Sequence, residues 1–275
     1  MKSAKATSLL AGLLVVAACT TVQTTRPGVV GVEREQTMLV SAATVNRQAE
    51  SAYRQTLQQA SKKGKLNEDP AQVERVRRIA SRLIAATGAF RPDATAWKWE
   101  VNVLSSQDVN AWCMPGGKIA VYTGLLEKLR PTDDELAAVV GHEMAHALRE
   151  HGREKSGQST GLGIAAAIGG VLIGSYFGID PSLGQNVLGT VGDLAFMRPN
   201  SREMEQEADR VGVELTARAG YDPHAAISLW QKMRQVSDGE TPQWLSTHPS
   251  HETRIGDLKV NADRVEPLYR PGMPR

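Results

Sequence analysis

Apolar residues recur at helical spacing in three stretches of the chain. Val73, Val76, Ala80, Leu83 and Ile84 mark the buried face of one helix. It begins at Asp69-Pro70, with Gln72 completing the cap, and ends at Gly88. Leu136, Val139, Val140, Met144 and Leu148 mark a second, opened by a capping box of Thr132 and Glu135 just after Pro131. Met204, Ala208, Val211 and Leu215 mark a third. Pro199 precedes it, Asn200 is its expected cap with Glu203 at the capping-box position, and Gly220 ends it. A helix of mixed character is expected from Gln36 to Ser61. A two-residue period governs the next stretch. Trp97, Trp99, Val101 and Val103 alternate with Lys98, Glu100 and Asn102, which predicts a half-buried strand. Lys118 to Thr123 is a second strand after a Pro-Gly-Gly turn. The pattern is that of an α+β fold, mostly helical, with a small β-sheet.

Two apolar stretches follow neither period. Leu9 to Ala18, preceded by Lys2 and Lys5, is too short for a permanent membrane span and reads as a targeting segment. It ends Val16-Ala17-Ala18-Cys19, which resembles a bacterial lipobox. That resemblance implies cleavage before Cys19 and lipidation of its sulfur; an ordinary secretory signal is the alternative. Thr20 follows, with no Asp to suggest retention at the inner membrane, so the outer membrane is the expected anchor. The second stretch, Gly161 to Gly178, is near the length of a span. It reads as a membrane helix, a membrane-touching loop, or buried packing that covers the site as a lid. A single span would place His146 and Glu205 on opposite sides of a bilayer, which favours the buried or lid reading. The expected organisation is a signal segment over 1–18, a lipidated Cys19 and polar tether over 19–35, one catalytic domain over 36–265, and a flexible tail over 266–275.

Charge and cysteine content narrow the classes. The chain has 275 residues, enough for one large domain, with 32 basic and 30 acidic side chains. Losing Lys2 and Lys5 would leave 30 against 30. No basic block suggests a nucleic-acid partner. With Cys19 lipidated, Cys113 has no intramolecular disulfide partner and reads as a small buried residue beside Trp112.

The chemistry is concentrated in His142-Glu143-Met144-Ala145-His146. Two histidines four apart on a helix project from one face, one turn apart, as needed to place two nitrogens on one zinc ion. They lie at the margin of the apolar stripe, where ligands facing a cleft belong. Glu143 stands between them, where a carboxylate can take the proton of an activated water. The motif proposes a zinc-dependent peptide hydrolase of the zincin type. A third protein ligand is required. The segment Asn200 to Asp209 supplies Glu205 and Asp209, four apart on one helix face. One can bind zinc while the other hydrogen-bonds a ligand histidine from behind.

His-Glu-Met-Ala-His followed by Ser201-Arg202-Glu203-Met204-Glu205-Gln206-Glu207-Ala208-Asp209 resembles the HtpX and CAAX-prenyl-protease family of zinc metallopeptidases. The resemblance implies that Glu205 is the ligand and Asp209 its supporting carboxylate, leaving Glu203 and Glu207 on a solvated acidic face. Asn110-Ala111-Trp112 with the later Pro115-Gly116-Gly117, and Thr247-His248-Pro249 with Arg254, resemble two further family segments. The resemblance spans roughly Gln36 to Asn261 and is closest to the soluble periplasmic branch of BepA and LoiP types. The sheet's edge strand is expected beside the zinc helix; zinc peptidases commonly bind an extended substrate along such an edge, and Asn110, with the stretch through Cys113, is the candidate, a turn residue being the alternative for Asn110. The resemblance also places His248 near the metal, as a latch on the open position or as a hydrogen-bond donor to the oxyanion, with Arg254 assisting or binding substrate. His224 and His251 have no comparable support.

The expected function is that of a lipid-anchored periplasmic endopeptidase with one zinc ion per chain. Its substrates would be unfolded or misassembled envelope proteins, and outer-membrane assembly machinery is a possible partner. The alternative is a non-proteolytic chaperone or assembly factor with a structural or latent zinc site.

Overall fold

The computed structural model describes residues 20–158, 200–235, 243–248 and 253–271. The expected targeting segment, Cys19 and Gly161–Gly178 lie outside the described residues. Strands β1 (Thr20–Val22) and β2 (Gln36–Met38) pair antiparallel. Helices α1 (Ala42–Lys62) and α2 (Pro70–Ala86) follow. Then come β3 (Glu100–Leu104), β4 (Ala111–Met114) and β5 (Lys118–Tyr122). Helices α3 (Thr123–Leu129) and α4 (Asp133–Leu148) lead to a further helical stretch at 151–158. Helices α5 (Arg202–Arg218), α6 (Ala225–Gln235), α7 (Gln243–Thr247) and α8 (Arg254–Val265) complete the described elements. The architecture is α+β and mostly helical, with a small sheet against α4.

The sheet has the order β3-β5-β4, with β3 parallel and β4 antiparallel to β5. The β4–β5 turn needs its glycines. Gly116 and Gly117 have φ of 80° and 81°, and a Cβ on Gly117 would lie 2.7 Å from the Trp99 ring. Among the described residues β4 pairs with β5 alone, so it is an edge, and it packs on α4.

Helix α4 is the centre of the molecule. Thr132 and Glu135 form the expected capping box, with Glu135 N donating to Thr132 Oγ1 at 3.2 Å and Thr132 N to Glu135 Oε2 at 2.8 Å. The expected apolar stripe is buried, but so is every other residue from Glu135 to Leu148. The helix is therefore a core helix, not a surface helix with its histidines at a margin. Small residues make this possible, because Ala137, Ala138, Gly141, Ala145 and Ala147 let α2, α5, α6 and β4 all approach it. At the α4–α5 crossing two glycines meet. A Cβ on Gly212 would lie 2.9 Å from the Cα of His142, and one on Gly141 would lie 2.9 Å from Thr216 Oγ1.

Several expectations are corrected. Gln36 to Met38 is a strand, and α1 starts only at Ala42 behind the Ser41 cap; the buried–exposed–buried pattern of 36–38 seats Gln36 in the interior. Trp97 and Trp99 precede β3 instead of belonging to it. Pro92 opens a 3-10 turn, and the two rings stack with centroids 5.5 Å apart. Helix α5 is capped by Ser201, which accepts from Met204 N at 3.2 Å, and not by Asn200. The cap of α2 is Asp69 alone, accepting from Ala71 N and Gln72 N. Residues 20–35, expected as a tether, pack on the domain. Val30 and Val32 are buried, and Val30 N donates to Glu214 Oε2 at 3.0 Å. Within the expected tail, Glu266–Leu268 forms a 3-10 turn and Leu268 and Tyr269 pack against the core.

Candidate metal centre

Helix α4 delivers His142 and His146, one turn apart, and α5 delivers Glu205 across the glycine crossing. The two imidazoles and the carboxylate form a closed triangle of groups, with one Glu205 oxygen turned to each ring. His142 Nε2 and His146 Nε2 are 3.1 Å apart, His146 Nε2 is 3.3 Å from Glu205 Oε1, and His142 Nε2 is 3.5 Å from Glu205 Oε2. Zinc bonds of about 2.0–2.1 Å at tetrahedral angles would set such edges at roughly 3.3 Å. The geometry and the N, N, O donor set thus fit a tetrahedral divalent metal. His248 joins them, and the four groups offer ligand atoms within 4.8 Å of one another, all buried.

Each donor is oriented from behind. His142 Nδ1 lies 3.0 Å from Asp209 Oδ1, which assigns the N–H to Nδ1 and leaves the Nε2 lone pair toward the cluster. His146 Nδ1 lies 2.7 Å from His151 Nδ1. Asn200 donates to Glu205 Oε1 at 2.7 Å and accepts from Lys155 at 2.6 Å. Arg254 is almost fully buried. It donates to Glu205 Oε2 at 3.0 Å and to Asp209 Oδ1 at 2.7 Å, and its guanidinium lies 3.7 Å over the Trp230 ring.

The electrostatics favour a cation at this point. Burial works to lower the pKa of His142, but hydrogen bonds to Asp209 and Glu205 raise it to about 9. Burial pushes Glu205 the other way, yet the two imidazoles hold its carboxyl well below the ordinary range. Burial, with the neighbouring imidazoles of His142 and His151, pushes His146 well below its ordinary value despite Glu205, and burial also lowers His248. Burial lowers Lys155 to about 8.

Glu143 sits at the same centre. Its Oε1 accepts from the Trp244 indole at 2.6 Å and lies 3.5 Å from His248 Nε2. The Trp244 and His248 rings stack at 4.7 Å, and His248 Nδ1 lies 3.1 Å from the Trp244 carbonyl oxygen.

Thus His142, Glu143, His146, Glu205, Asp209, His248 and Arg254 all converge. Arg254 is engaged by the carboxylates of Glu205 and Asp209. Asn110 is buried just ahead of β4, and its Oδ1 accepts from Ala111 N at 2.9 Å. Glu203 is exposed as expected, but Glu207 is buried among Arg34, Arg149 and His151. His224 pairs with Asp222 and Asp263 away from the cluster, and His251 lies outside the described residues. Sequence reasoning missed Trp244, Asn200 and His151. Trp244 stands four before His248, one helical turn, and that spacing was its only signal.

Comparisons with known proteins agree with this geometry. Residues 70–262, well over half of the chain, match the family described as Peptidase family M48. The chain is 34% identical to the Bos taurus protein "Metalloendopeptidase OMA1, mitochondrial" over 212 residues, 74% of this chain and 39% of that protein. It is 29% identical to "Metalloprotease LoiP" of Escherichia coli over 194 residues, 68% of this chain and 73% of that one. It is 25% identical to the "Beta-barrel assembly-enhancing protease" of Escherichia coli, covering 73% of this chain and 41% of that protein. The chain thus spans well under two thirds of the length of the OMA1 relative. Among the described residues no helix is long and apolar enough to cross a membrane. From its buried two-histidine, one-glutamate cluster and this match, the chain belongs to peptidase family M48.

Proposed function

We propose that the protein is a zinc endopeptidase, anchored by lipid at Cys19 and facing the bacterial periplasm, that cuts unfolded or misassembled envelope proteins. The observation that carries the catalytic part is the closed His142–His146–Glu205 triangle with the Glu143 carboxylate beside it. The match to the bacterial metalloprotease LoiP supports the peptidase reading, whereas the OMA1 relatives, named as mitochondrial, leave the compartment to the lipobox. Zinc held there would supply a Lewis acid for water and for the scissile carbonyl. Glu143 takes the water's proton and returns it to the leaving amine. Asp209 keeps His142 in the ligating tautomer. Arg254 offsets the charge of Glu205 and Asp209 and fixes both carboxylates. The edge strand β4, next to α4, offers main-chain groups to an extended substrate, with Asn110 at its start.

His248 acts in this reading as a latch. Its Nδ1–H donates to the Trp244 carbonyl, so the neutral ring keeps a lone pair at Nε2 for the ligand cluster. A lone pair suits metal ligation and not oxyanion binding, which needs an N–H. With Trp244 on Glu143, α7 would hold the enzyme latent. The same contact favours the second reading, an assembly factor that does not cut. Digestion of unfolded casein by the purified chain tests the choice. Chelator should abolish cleavage and added zinc should restore it; an absence of cleavage with zinc present, also with α7 unlatched by His248→Ala, contradicts the peptidase reading.

A further inference from the structure

The chain turns sharply just after α4. The helix ends at Leu148, and Glu150 adopts a left-handed φ of 51°. A non-glycine residue is strained there and must be held by its surroundings. Two arginines fix it, with Arg91 donating to Glu150 Oε1 at 2.6 Å and Arg153 to Oε2 at 2.7 Å. The consequence is the place of His151. On an unbroken helix a residue five beyond His146 would point about 140° away from it. After the turn, the two rings lie 4.9 Å apart between centroids, and His151 is fully buried.

The hydrogen bonds then have one consistent direction. A ligating His146 has its lone pair at Nε2, so its Nδ1–H donates to His151 Nδ1 at 2.7 Å. His151 must accept there, so its proton sits on Nε2 and goes to Glu207 Oε2 at 2.9 Å. Glu207 is in turn held by Arg149 at 3.0 Å and by Arg34 at 3.1 Å. Arg149 also donates to the Arg34 carbonyl at 2.9 Å, and Gln36 donates to the Arg149 carbonyl at 2.7 Å. His142 is steadied by a carboxylate directly, whereas His146 is steadied through an imidazole whose carboxylate is gripped by the N-terminal segment.

We propose that His151 is a positioning residue for the metal centre, orienting His146 through a Glu207–His151–His146 relay whose far end is fixed by Arg34. This inference rests on the metal assignment at His142, His146 and Glu205. It makes the segment just after the targeting region a working part of the centre, since its release would loosen a metal ligand.

The test measures zinc affinity of the full chain by competition with a chromogenic chelator, and the visible spectrum of the cobalt-substituted form. Melting of the metal-free protein monitors the fold. His151→Leu should weaken zinc about 10–100-fold, the range for losing the partner behind a metal-bound histidine, and should shift the cobalt bands. His151→Asn puts an amide oxygen near the place of Nδ1 and should restore part of the affinity. His151→Gln puts an amide N–H near Nε2, keeps Glu207 satisfied and should stay weak. Wild-type affinity and spectrum in His151→Leu would overturn the proposal, as would full rescue by Gln with none by Asn. If His151→Leu fails to fold, the Asn and Gln pair decides. Arg34→Gln should weaken zinc in the wild type but no further in His151→Leu; an equal effect in both would overturn the Arg34 end of the relay. A wild-type chain that binds no zinc would sink the metal assignment itself, which is a distinct result.

Discussion

The two ligand imidazoles do the same job with different partners, and the difference is measurable. Asp209 is shared between His142 and Arg254, so replacing it disturbs a ligand and a buried charge together. Asp209→Asn should lower zinc affinity about 10–100-fold, read by chelator competition, with the fold retained. Unchanged affinity would reduce Asp209 to a salt bridge with Arg254. His142 and His146 were legible in the sequence because helix periodicity alone fixes a four-residue pair on one face. Glu205 against Asp209 was not settled by spacing, since both occupy one face of α5; the family resemblance chose between them. Arg254 and His151 were illegible in their actual places, because neither lies at helical spacing from the ligands and His151 reaches His146 only through a left-handed turn. Glu207 was expected on a solvated face, and it is buried because Arg34, Arg149 and His151 close over it from distant parts of the chain.

At the level of elements, the centre depends on how closely α4 and α5 cross. Gly212→Ala would press a methyl onto the backbone of His142, at 2.9 Å from both its Cα and its N. Overpacking of this kind costs about 1–3 kcal/mol, and here it should also spread the ligands. Denaturant unfolding and zinc competition should both weaken; loss of stability with intact zinc affinity would contradict the coupling. Helix α7 gives a second element-scale prediction. His248→Ala should raise basal casein cleavage, because it removes the latch; a fall of about 10²–10³ in turnover would instead assign an oxyanion donor. The long helices were legible from their periodicity and caps. Helix α7 is only five residues long and carries no period to read. The strand expected at Trp97 was misplaced because stacked tryptophans mimic the alternation of a half-buried strand.

At the scale of the whole molecule, residues 20–35 wrap the domain and tie its buried charges. Their polar sequence with Pro27, Gly28 and Gly31 hides this role, since the partners of Arg34 lie more than a hundred residues away. The network has a pH signature. Burial works to raise the pKa of Glu207, but hydrogen bonds from His151 and Arg34 and the nearby positive charges bring it down to about 2. A carboxylate depressed in the folded state stabilises fully above its unfolded value and loses that contribution as pH falls through the folded one. Stability of the metal-free chain should therefore drop between pH about 4.5 and about 2 more steeply than that of Glu207→Gln, as followed by urea unfolding. Parallel profiles would remove Glu207 from the account. In the proposed peptidase Glu143 performs proton transfer beside a metal it does not hold. Casein cleavage and zinc content of Glu143→Gln, set against the unsubstituted chain in both the native and the His248→Ala background, test it most directly. One zinc per chain is expected in every case, and no cleavage wherever Glu143 is replaced. Cleavage by Glu143→Gln at the rate of the unsubstituted chain would contradict that role.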